Sequence, residues 1–179
     1  MVDWNVVITA SERGFGRARK FFVQFGSVSR TEFFNVLVLR TDDPHLVMEA
    51  IVERKLENSD SLAFLSRIVP VSHTFSFQSE EEFKEKAKEI SLTWVPELAG
   101  KSFHVRMHRR GFKGRLSSPE VERFLDEVLL QALENTGTPG HITFKNPDAI
   151  IAVETVGQRA GLSLWTRMDL ERYPFLRLD

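Results

Sequence analysis

Short apolar runs and amphipathic segments alternate along the first half of the chain. Two apolar, β-branched runs predict buried strands, Trp4–Thr9 and Phe33–Leu39. Between them, apolar residues at helical spacing predict a helix over Arg17–Phe25. A second helix is predicted to open at Asp43 and Pro44, because Asp can cap a helix and Pro suits its first turn.

The run Ile68–Phe77 is largely β-like, although Pro70 interrupts it, and it completes a β-α-β-α-β order. That order favours a small ferredoxin-like sheet with helices on one face. A flavodoxin-like parallel sheet is the alternative, but the chain offers too few strand–helix repeats for it.

The pattern changes in the second half of the chain. A charged amphipathic helix is predicted over Glu80–Ile90 and an alternating strand over Phe103–Arg110. A long helix follows, with Ser118 as its N-cap and Pro119 in its first turn, and it ends near Gly137. Three more β-like runs come next, at His141–Phe144, Ile150–Val156 and Leu162–Trp165.

These patterns predict an α+β protein with mixed α and β elements in two domains. At roughly 100–200 residues per domain, a chain of 179 residues can hold one domain or two small ones. We place the boundary near residue 75, so that a ferredoxin-like domain spans residues 1–75 and a second domain spans residues 76–179.

The composition of the chain excludes several classes of function. The chain has no Cys, which excludes disulfides, thiolate metal sites and cysteine nucleophiles, and which fits a reducing cytoplasm. No apolar run approaches the roughly 18 residues that cross a bilayer, and the first residues do not resemble a signal peptide. We therefore expect a cytoplasmic protein that has no membrane partner.

Charge is balanced overall, with a net charge of −1, but it is unevenly distributed. Residues 101–115 contain six Lys or Arg residues, two His residues and no acidic residue. Alternation along a strand would turn Phe103, Val105 and Met107 inward. The opposite face would then carry His104, Arg106, His108 and Arg110.

The basic loop Arg109–Arg115 leads to the start of the helix at Ser118. Backbone N–H groups and the helix dipole favour an anion there, and arginine side chains bind phosphate oxygens well. The pattern therefore predicts a phosphate site. The alternative is a solvated basic strand edge, since charge often protects such edges.

Other segments carry weaker signals. Gly14 and Gly16 follow a strand as in a dinucleotide fingerprint, but Arg19 stands where the third glycine belongs, so we expect no nucleotide cofactor. A turn before a basic helix is the simpler interpretation, and its cations could extend a nucleic-acid surface: Arg13, Arg17, Arg19 and Lys20. His104 and His108 would be about 13 Å apart on a strand, so no metal site is expected.

The best candidate catalytic groups in the second half are two carboxylates. Asp148 lies in an Asn-Pro-Asp turn signature, and Glu154 lies within an apolar strand where it would pair with a base or face solvent. No nucleophile motif such as G-x-S-x-G occurs. Trp94 and Trp165 are interpreted as packing residues.

Several of these motifs, taken in order and spacing, resemble the THUMP domain. They are Phe103–Arg106 (FHVR), Arg109–Gly111 (RRG), Ser118–Val121 (SPEV), Asn146–Asp148 (NPD) and Ile151–Glu154 (IAVE). The first half of the chain is similar in plan to the ferredoxin-like domain that usually precedes THUMP. The resemblance covers nearly the whole chain.

The resemblance implies a function. THUMP domains are fused to catalytic domains in tRNA 4-thiouridine synthetases, tRNA guanosine methyltransferases and tRNA pseudouridine synthases. Here no methyltransferase or pyrophosphatase loop follows, and the segment Glu171–Leu176 resembles that of stand-alone THUMP proteins, which assist tRNA cytidine acetylation. The chain is therefore expected to be a tRNA-binding adaptor, with no enzyme activity or cofactor of its own, for a separate N-acetyltransferase. By the same resemblance, the RNA-binding residues would be Arg106, His108, Arg109, Arg110, Lys113, Arg115 and Lys145.

Three other interpretations stay open at this point. The chain could be a detached RNA-binding subunit of another tRNA-modifying enzyme, for methylation or thiolation. It could be a small enzyme acting on RNA or on a phosphorylated metabolite, with Asp148 or Glu154 as the base. It could also be an interaction module whose basic strand docks an acidic protein.

Overall fold

The structure is a computed structural model that describes residues 2–179. The chain divides into two compact units. The first unit extends to Pro70 and also includes Leu170–Arg177, whereas the second comprises Val71–Asp169 and Leu178–Asp179. Each unit contains helices packed on a sheet, so the expected α+β class is confirmed. Across residues 2–179, no helix has both the length and the apolar character that crossing a bilayer requires.

The first unit is built on a four-stranded sheet of order β2-β3-β1-β4, in which every neighbouring pair is antiparallel. Its elements are β1 (Val6–Ala10), α1 (Phe15–Phe22), β2 (Ser27–Arg30), β3 (Val36–Arg40), α2 (Pro44–Glu57) and β4 (Leu65–Pro70). Short 3-10 turns follow the two helices, at Val23–Phe25 and Ser59–Leu62. This β-α-β-β-α-β connectivity is the ferredoxin-like arrangement that was expected.

Strand β2 is an element of the first unit that the pattern missed. Its sequence, Ser-Val-Ser-Arg, is largely polar, because it forms the sheet edge and buries neither face fully. The predicted strand Phe33–Leu39 begins only at Val36, since Asn35 adopts a left-handed φ of 57° in the β2–β3 turn. Phe34 consequently lies 83% exposed.

The expected helix ends are formed largely as the sequence indicates. Asp43 caps α2, where its Oδ1 accepts from the N–H of Leu46 at 3.0 Å. Gly26 ends the 3-10 turn after α1, and a Cβ there would lie 2.0 Å from the carbonyl oxygen of Arg40. Only glycine fits this close approach of two backbones.

The second unit contains a five-stranded sheet of order β5-β9-β8-β6-β7. Strand β6 runs parallel to β7 and β8, whereas β9 is antiparallel to both β8 and β5. Its elements are β5 (His73–Ser76), α3 (Glu80–Leu92), α4 (Val95–Leu98), β6 (Ser102–His108), α5 (Ser118–Asn135), β7 (His141–Ile142), β8 (Ala149–Val156) and β9 (Arg159–Thr166). The helix α6 (Arg167–Arg172) comes after β9.

Helices α3 and α5 contribute the apolar residues that meet the sheet in the core of the second unit. Phe103, Val105 and Met107 of β6 are buried in this core, as their alternation predicted. They pack with Phe83 of α3 and Leu125 of α5, which are fully buried. Burial of these side chains supplies the main driving force that holds α5 on the sheet.

Carboxylates of α5 cover the open edge of β6. Strand β7 pairs only with Ser102 and Phe103, so the N–H groups farther along β6 have no strand partner on that side. The N–H of Val105 donates to Asp126 Oδ1 at 3.0 Å, and the N–H of Met107 donates to Glu122 Oε1 at 2.8 Å. Burial raises the pKa of Asp126 to about 7, against the lowering effect of the Val105 hydrogen bond.

The start of α5 differs by one residue from the expectation. Ser118 was expected to be the N-cap, but it is the first helical residue. The extended backbone of a cap lies one residue earlier, at Ser117, whose side chain makes no capping hydrogen bond. The first N–H groups of α5 therefore have no side-chain cap.

Replacing Asp126 by Asn should change how stability depends on pH. The folded pKa of Asp126, about 7, lies above its ordinary value of 3.8, so between these values only the folded chain holds this proton. The free energy of unfolding should therefore fall as pH rises from about 4 to 7 and then level off. Asn keeps an acceptor for Val105 but does not titrate, so Asp126→Asn should be more stable at pH 8 by roughly 1–3 kcal/mol.

Urea denaturation at several pH values would measure this effect. Asp42→Asn, at an exposed carboxylate of the first unit, is the matched control. If the Asp126→Asn and wild-type stability curves run parallel from pH 4 to 8, the buried carboxylate is not the titrating group.

Candidate functional site

The basic loop between β6 and α5 is held in place by apolar anchors. Phe112 packs edge-on against the buried ring of Phe77, with 5.1 Å between ring centroids, and Leu116 is only 3% exposed. The N–H groups of Arg115 and Leu116 both donate to the carbonyl of Phe112 at 3.0 Å. Because these anchors fix the backbone, the charged side chains of the loop project from a defined frame.

Left-handed backbone at three positions makes the tight path of this loop possible. The φ angles of Gly111 and Gly114 are 94° and 77°, which glycine adopts readily, and that of Phe112 is 55°. Phe112 adopts this strained conformation while its ring, which is partly buried, packs against the core. The sequence signalled the glycines but not the role of Phe112 as an anchor.

A cavity of about 500 Å³ opens where the loop meets the start of α5. Arg109 and Arg115 line it, together with the hydroxyl-bearing residues Ser117 and Ser118. The uncapped N-terminus of α5 is part of the same wall, because the cavity reaches Ser118 and the residues after it. Guanidinium groups and helical N–H groups facing one cavity form a site for a phosphate.

Two carboxylates also lie at this cavity and limit its positive charge. Glu80 pairs with Lys84 at 2.7 Å, so its charge is offset within α3. Glu120 lies in the first turn of α5, where it interacts favourably with the helix dipole. The cavity therefore suits one phosphate group better than a polyphosphate.

Three of the expected binding residues present cations at or beside this cavity. Arg115 is exposed, donates to the carbonyl of Gln78 at 3.2 Å and lies 4.2 Å from the Phe112 ring centroid. Arg109 donates from Nη1 to the carbonyl of Gly111 and is half-buried. Lys113 is exposed at the tip of the loop. Over residues 2–179, no carboxylate forms an ion pair with any of these three cations.

Two other expected binding residues lie against a buried carboxylate: Arg110 is hydrogen-bonded to it, and His108 is close to it without a hydrogen bond. Glu154 of β8 is fully buried, and its Oε2 accepts from Arg110 Nη1 at 2.6 Å. His108 Nδ1 lies 3.2 Å from Glu154 Oε1, because the parallel register sets His108 directly beside Glu154. At these two positions the side chains that were expected on the face opposite the core lie beside an acid, since alternation on neighbouring strands places them next to Glu154.

Arg106 also pairs with a carboxylate, although this one is half exposed. Its guanidinium donates from Nε and Nη2 to Asp179 Oδ1 at 3.1 and 3.0 Å, and Glu122 lies 3.9 Å away. His104, which is fully buried, also contacts Asp179 Oδ1 through Nε2 at 3.1 Å. No local pattern links an isolated Asp at position 179 to a strand that begins near residue 102, so the sequence did not reveal this contact.

Lys145 is exposed but does not line the cavity at the start of α5. It follows β7, which pairs with β6 only at Ser102 and Phe103. The basic loop instead follows His108, about 17 Å farther along β6 at ~3.3 Å per residue. The structure therefore brings Arg109 and Arg115 to one cavity, with Lys113 exposed in the same loop, whereas Lys145 does not line that cavity.

The two candidate catalytic carboxylates hold the sheet together. Asp148 Oδ2 accepts from both the N–H and the hydroxyl of Ser102, at 3.0 and 3.1 Å, and Oδ1 lies 2.9 Å from Arg167. The Ser102 hydrogen bonds hold the pKa of Asp148 below its ordinary value. Glu154 lies six residues along the same strand, about 20 Å away, so the two carboxylates cannot act as one pair.

Of the two glycines that follow β1, Gly14 has a packing role, whereas a Cβ at Gly16 would meet nothing within 4 Å. A Cβ at Gly14 would lie 2.4 Å from the carbonyl oxygen of Phe64, so only glycine allows this approach. Within the described part of the chain, no group of three His, Asp or Glu side chains is placed to hold a metal ion.

Comparison with known proteins identifies the second half of the chain. The family model of the THUMP domain matches residues 77–164. No protein in a search of curated sequences matches the chain.

Several solved structures share the fold. PH1313 from Pyrococcus horikoshii OT3 superposes with a TM-score of 0.60 and 15% identity, covering 90% of this chain and 54% of that one. TrmN from Thermus thermophilus gives a TM-score of 0.58 and 21% identity, covering 90% and 44%. A 4-thiouridine synthetase in complex with RNA and bound ATP gives 0.53 and 16%, covering 92% and 42%. The chain thus spans about half the length of these proteins, and at such identities the likeness concerns the fold.

Stability measurements should separate the structural cations from the exposed ones. Arg110→Met leaves Glu154 buried with one fewer partner, so it should cost about 2–4 kcal/mol of unfolding free energy. Arg115→Met removes an exposed charge and should change stability by less than about 0.5 kcal/mol. Chemical denaturation would measure both variants.

The double variant Arg110→Met/Glu154→Gln serves as the control for the buried pair. It should recover part of the loss, because it also removes the buried negative charge that Arg110 offsets. Equal and small losses for Arg110→Met and Arg115→Met would contradict a structural role for Arg110.

Proposed function

Because residues 77–164 of this chain form a THUMP domain, we propose that the protein binds tRNA and presents it to a separate modifying enzyme. The observation that carries the proposal is that Arg109 and Arg115 line one cavity at the uncapped start of α5, with Lys113 exposed in the same loop. These cations have no acidic partner among residues 2–179, in contrast to Arg106 and Arg110.

The chemistry of this site suits the sugar–phosphate backbone of RNA. Arginine forks and helical N–H groups bind phosphate oxygens, and RNA helices are recognised largely by shape and backbone. With about three cations available, the site would neutralise few phosphates, so affinity should be modest and sensitive to salt. Modest affinity suits a protein that acts together with a partner.

The enzyme partner in this proposal is a tRNA cytidine N-acetyltransferase, which forms N4-acetylcytidine. The resemblance of Glu171–Leu176 to stand-alone THUMP proteins supports this choice. In the proposal the chain acts in the cytoplasm and contributes binding alone. The engagement of Asp148 and Glu154 in structural contacts supports a non-catalytic role.

A detached RNA-binding subunit for thiolation or methylation is the second candidate. The likeness to a 4-thiouridine synthetase solved with RNA favours it, because that protein joins the same fold to further chain. Mass spectrometry of tRNA nucleosides from cells lacking the chain distinguishes the two. Loss of N4-acetylcytidine supports the acetylation adaptor, whereas loss of 4-thiouridine or of a methylated nucleoside supports the alternative.

Charge reversal in the basic loop should weaken tRNA binding. Lys113→Glu/Arg115→Glu should lower affinity at least tenfold at about 0.1 M salt and reduce the salt slope by roughly two. Fluorescence anisotropy with labelled tRNA across a salt series would measure both quantities. Lys88→Glu, an exposed charge reversal on α3 outside the cavity, is the matched control.

The proposed site is wrong if the double variant and Lys88→Glu have equal affinities for tRNA. Incubating the purified chain alone with tRNA, acetyl-coenzyme A and ATP tests the non-catalytic role. A modified nucleoside formed under these conditions would contradict the adaptor proposal.

A further inference from the structure

A second concave surface with unpaired cations lies on the first unit. It is a cavity of about 520 Å³ between α1 and the segment that joins α2 to β4. Its lining residues come from both helices and from that segment: Arg17, Lys20, Phe21, Gln24, Arg54, Ser61 and Phe64. The function proposed above does not use this cavity.

The helical repeat of α1 determines which of its residues form one wall of the cavity. Arg17, Lys20, Phe21 and Gln24 are spaced i, i+3, i+4 and i+7, so they form one stripe along α1 and the 3-10 turn that continues it. The core-facing residues of α1, such as Phe22, are fully buried. Burial of that side therefore fixes the basic stripe against the cavity.

The charged side chains that line this cavity are all positive. Arg17 and Lys20 come from α1 and Arg54 comes from α2, and no carboxylate of the described chain lines the space between them. None of these three cations forms an ion pair within residues 2–179. Cations that face a shared concavity without an acid favour an anionic ligand.

Acidic residues lie nearby, on one side of the basic region. Glu53 and Glu57 line a smaller cavity of about 180 Å³ that also contacts Phe21, Gln24 and Arg54. They precede and follow Arg54 on α2 but do not line the larger cavity. An anion would therefore bind on the Arg17 side of Arg54.

Aromatic surface lies beside the three cations. Phe21 is half-buried, its ring centroid lies 5.4 Å from that of buried Phe64, and the Arg54 guanidinium lies 5.5 Å from the Phe21 centroid. Arg54 Nε also donates to the Ser61 hydroxyl at 3.4 Å, a weak bond that helps to orient it. A cationic groove with a ring at its base is the arrangement that holds single-stranded nucleic acids, in which bases stack and phosphates pair with cations.

We propose that this cavity binds an unpaired nucleotide of the RNA. The phosphate lies among Arg17, Lys20 and Arg54, and the base lies against the ring of Phe21. The inference rests on the proposed RNA-binding function and adds to it a second contact, made by the first unit and independent of the basic loop.

Neighbouring residues of α1 allow a matched test. Lys20→Glu reverses a charge in the cavity, whereas Arg19→Glu reverses an adjacent exposed charge that does not line it. Lys20→Glu should weaken binding of a single-stranded oligouridylate by the full chain at least about fivefold, and Arg19→Glu by less than about twofold. Equal effects of the two substitutions would overturn the inference.

The aromatic contact has its own readout. Phe21→Leu should weaken binding of the oligouridylate by about three- to tenfold but leave affinity for a fully paired RNA duplex unchanged, because only an unpaired base can stack. Phe21→Tyr keeps the ring and should retain binding. Binding is measured at a temperature at which circular dichroism shows every variant to be folded, and equal losses for the single strand and the duplex would overturn the stacking contact.

Failure of this inference can be told apart from failure of the proposed function. If Lys113→Glu/Arg115→Glu weakens tRNA binding while Lys20→Glu behaves as Arg19→Glu does, the nucleotide site in this cavity is overturned and the proposed function is retained. If the wild-type chain binds neither tRNA nor oligouridylate, both fall. If Lys20→Glu abolishes capture of a protein partner but leaves RNA affinity unchanged, the cavity is a protein-docking surface and the inference is overturned.

Discussion

The second unit depends on how strand β6 satisfies the hydrogen-bonding groups of its backbone. Strand β6 has a full partner on one side, β8, and only a two-residue partner on the other, β7. Buried N–H groups that lack a partner are costly, so the remaining edge needs acceptors. Asp126 and Glu122 of α5 provide them. These contacts fix where α5 lies along β6, and they thereby set its start beside the basic loop.

The position of α5 also explains why a cavity exists there. The chain leaves β6 at His108 and must reach Ser118 by a loop that the contacts of α5 constrain at its far end. Phe112 and Leu116 take apolar positions in the core, so the residues between them are pushed outward. The uncapped N-terminus of α5 and the loop cations then face the same space.

Cations that look alike in the sequence have different physical roles in the fold. Arg106 is held by Asp179, which is half exposed, whereas Arg110 offsets the charge of Glu154, a carboxylate that would otherwise be costly to bury. Arg115 lies in the same basic segment but stays exposed and pairs with no acid among the described residues. The net charge of −1 is compatible with RNA binding because the exposed cations are gathered locally.

Sequence reasoning determined the type of most elements, the α+β class, the inward face of β6 and the resemblance that the THUMP match confirms. Those features follow from local periodicity, capping chemistry and ordered motifs, which the linear chain displays directly. The sequence pattern did not predict edge strand β2, because an exposed edge needs no apolar pattern. Only the tertiary structure decided which cations are free, because Glu154 and Asp179 reach their partners across strands and over long sequence separations. Charge pairing depends on strand register and on distance in space, and the order of residues along one segment determines neither.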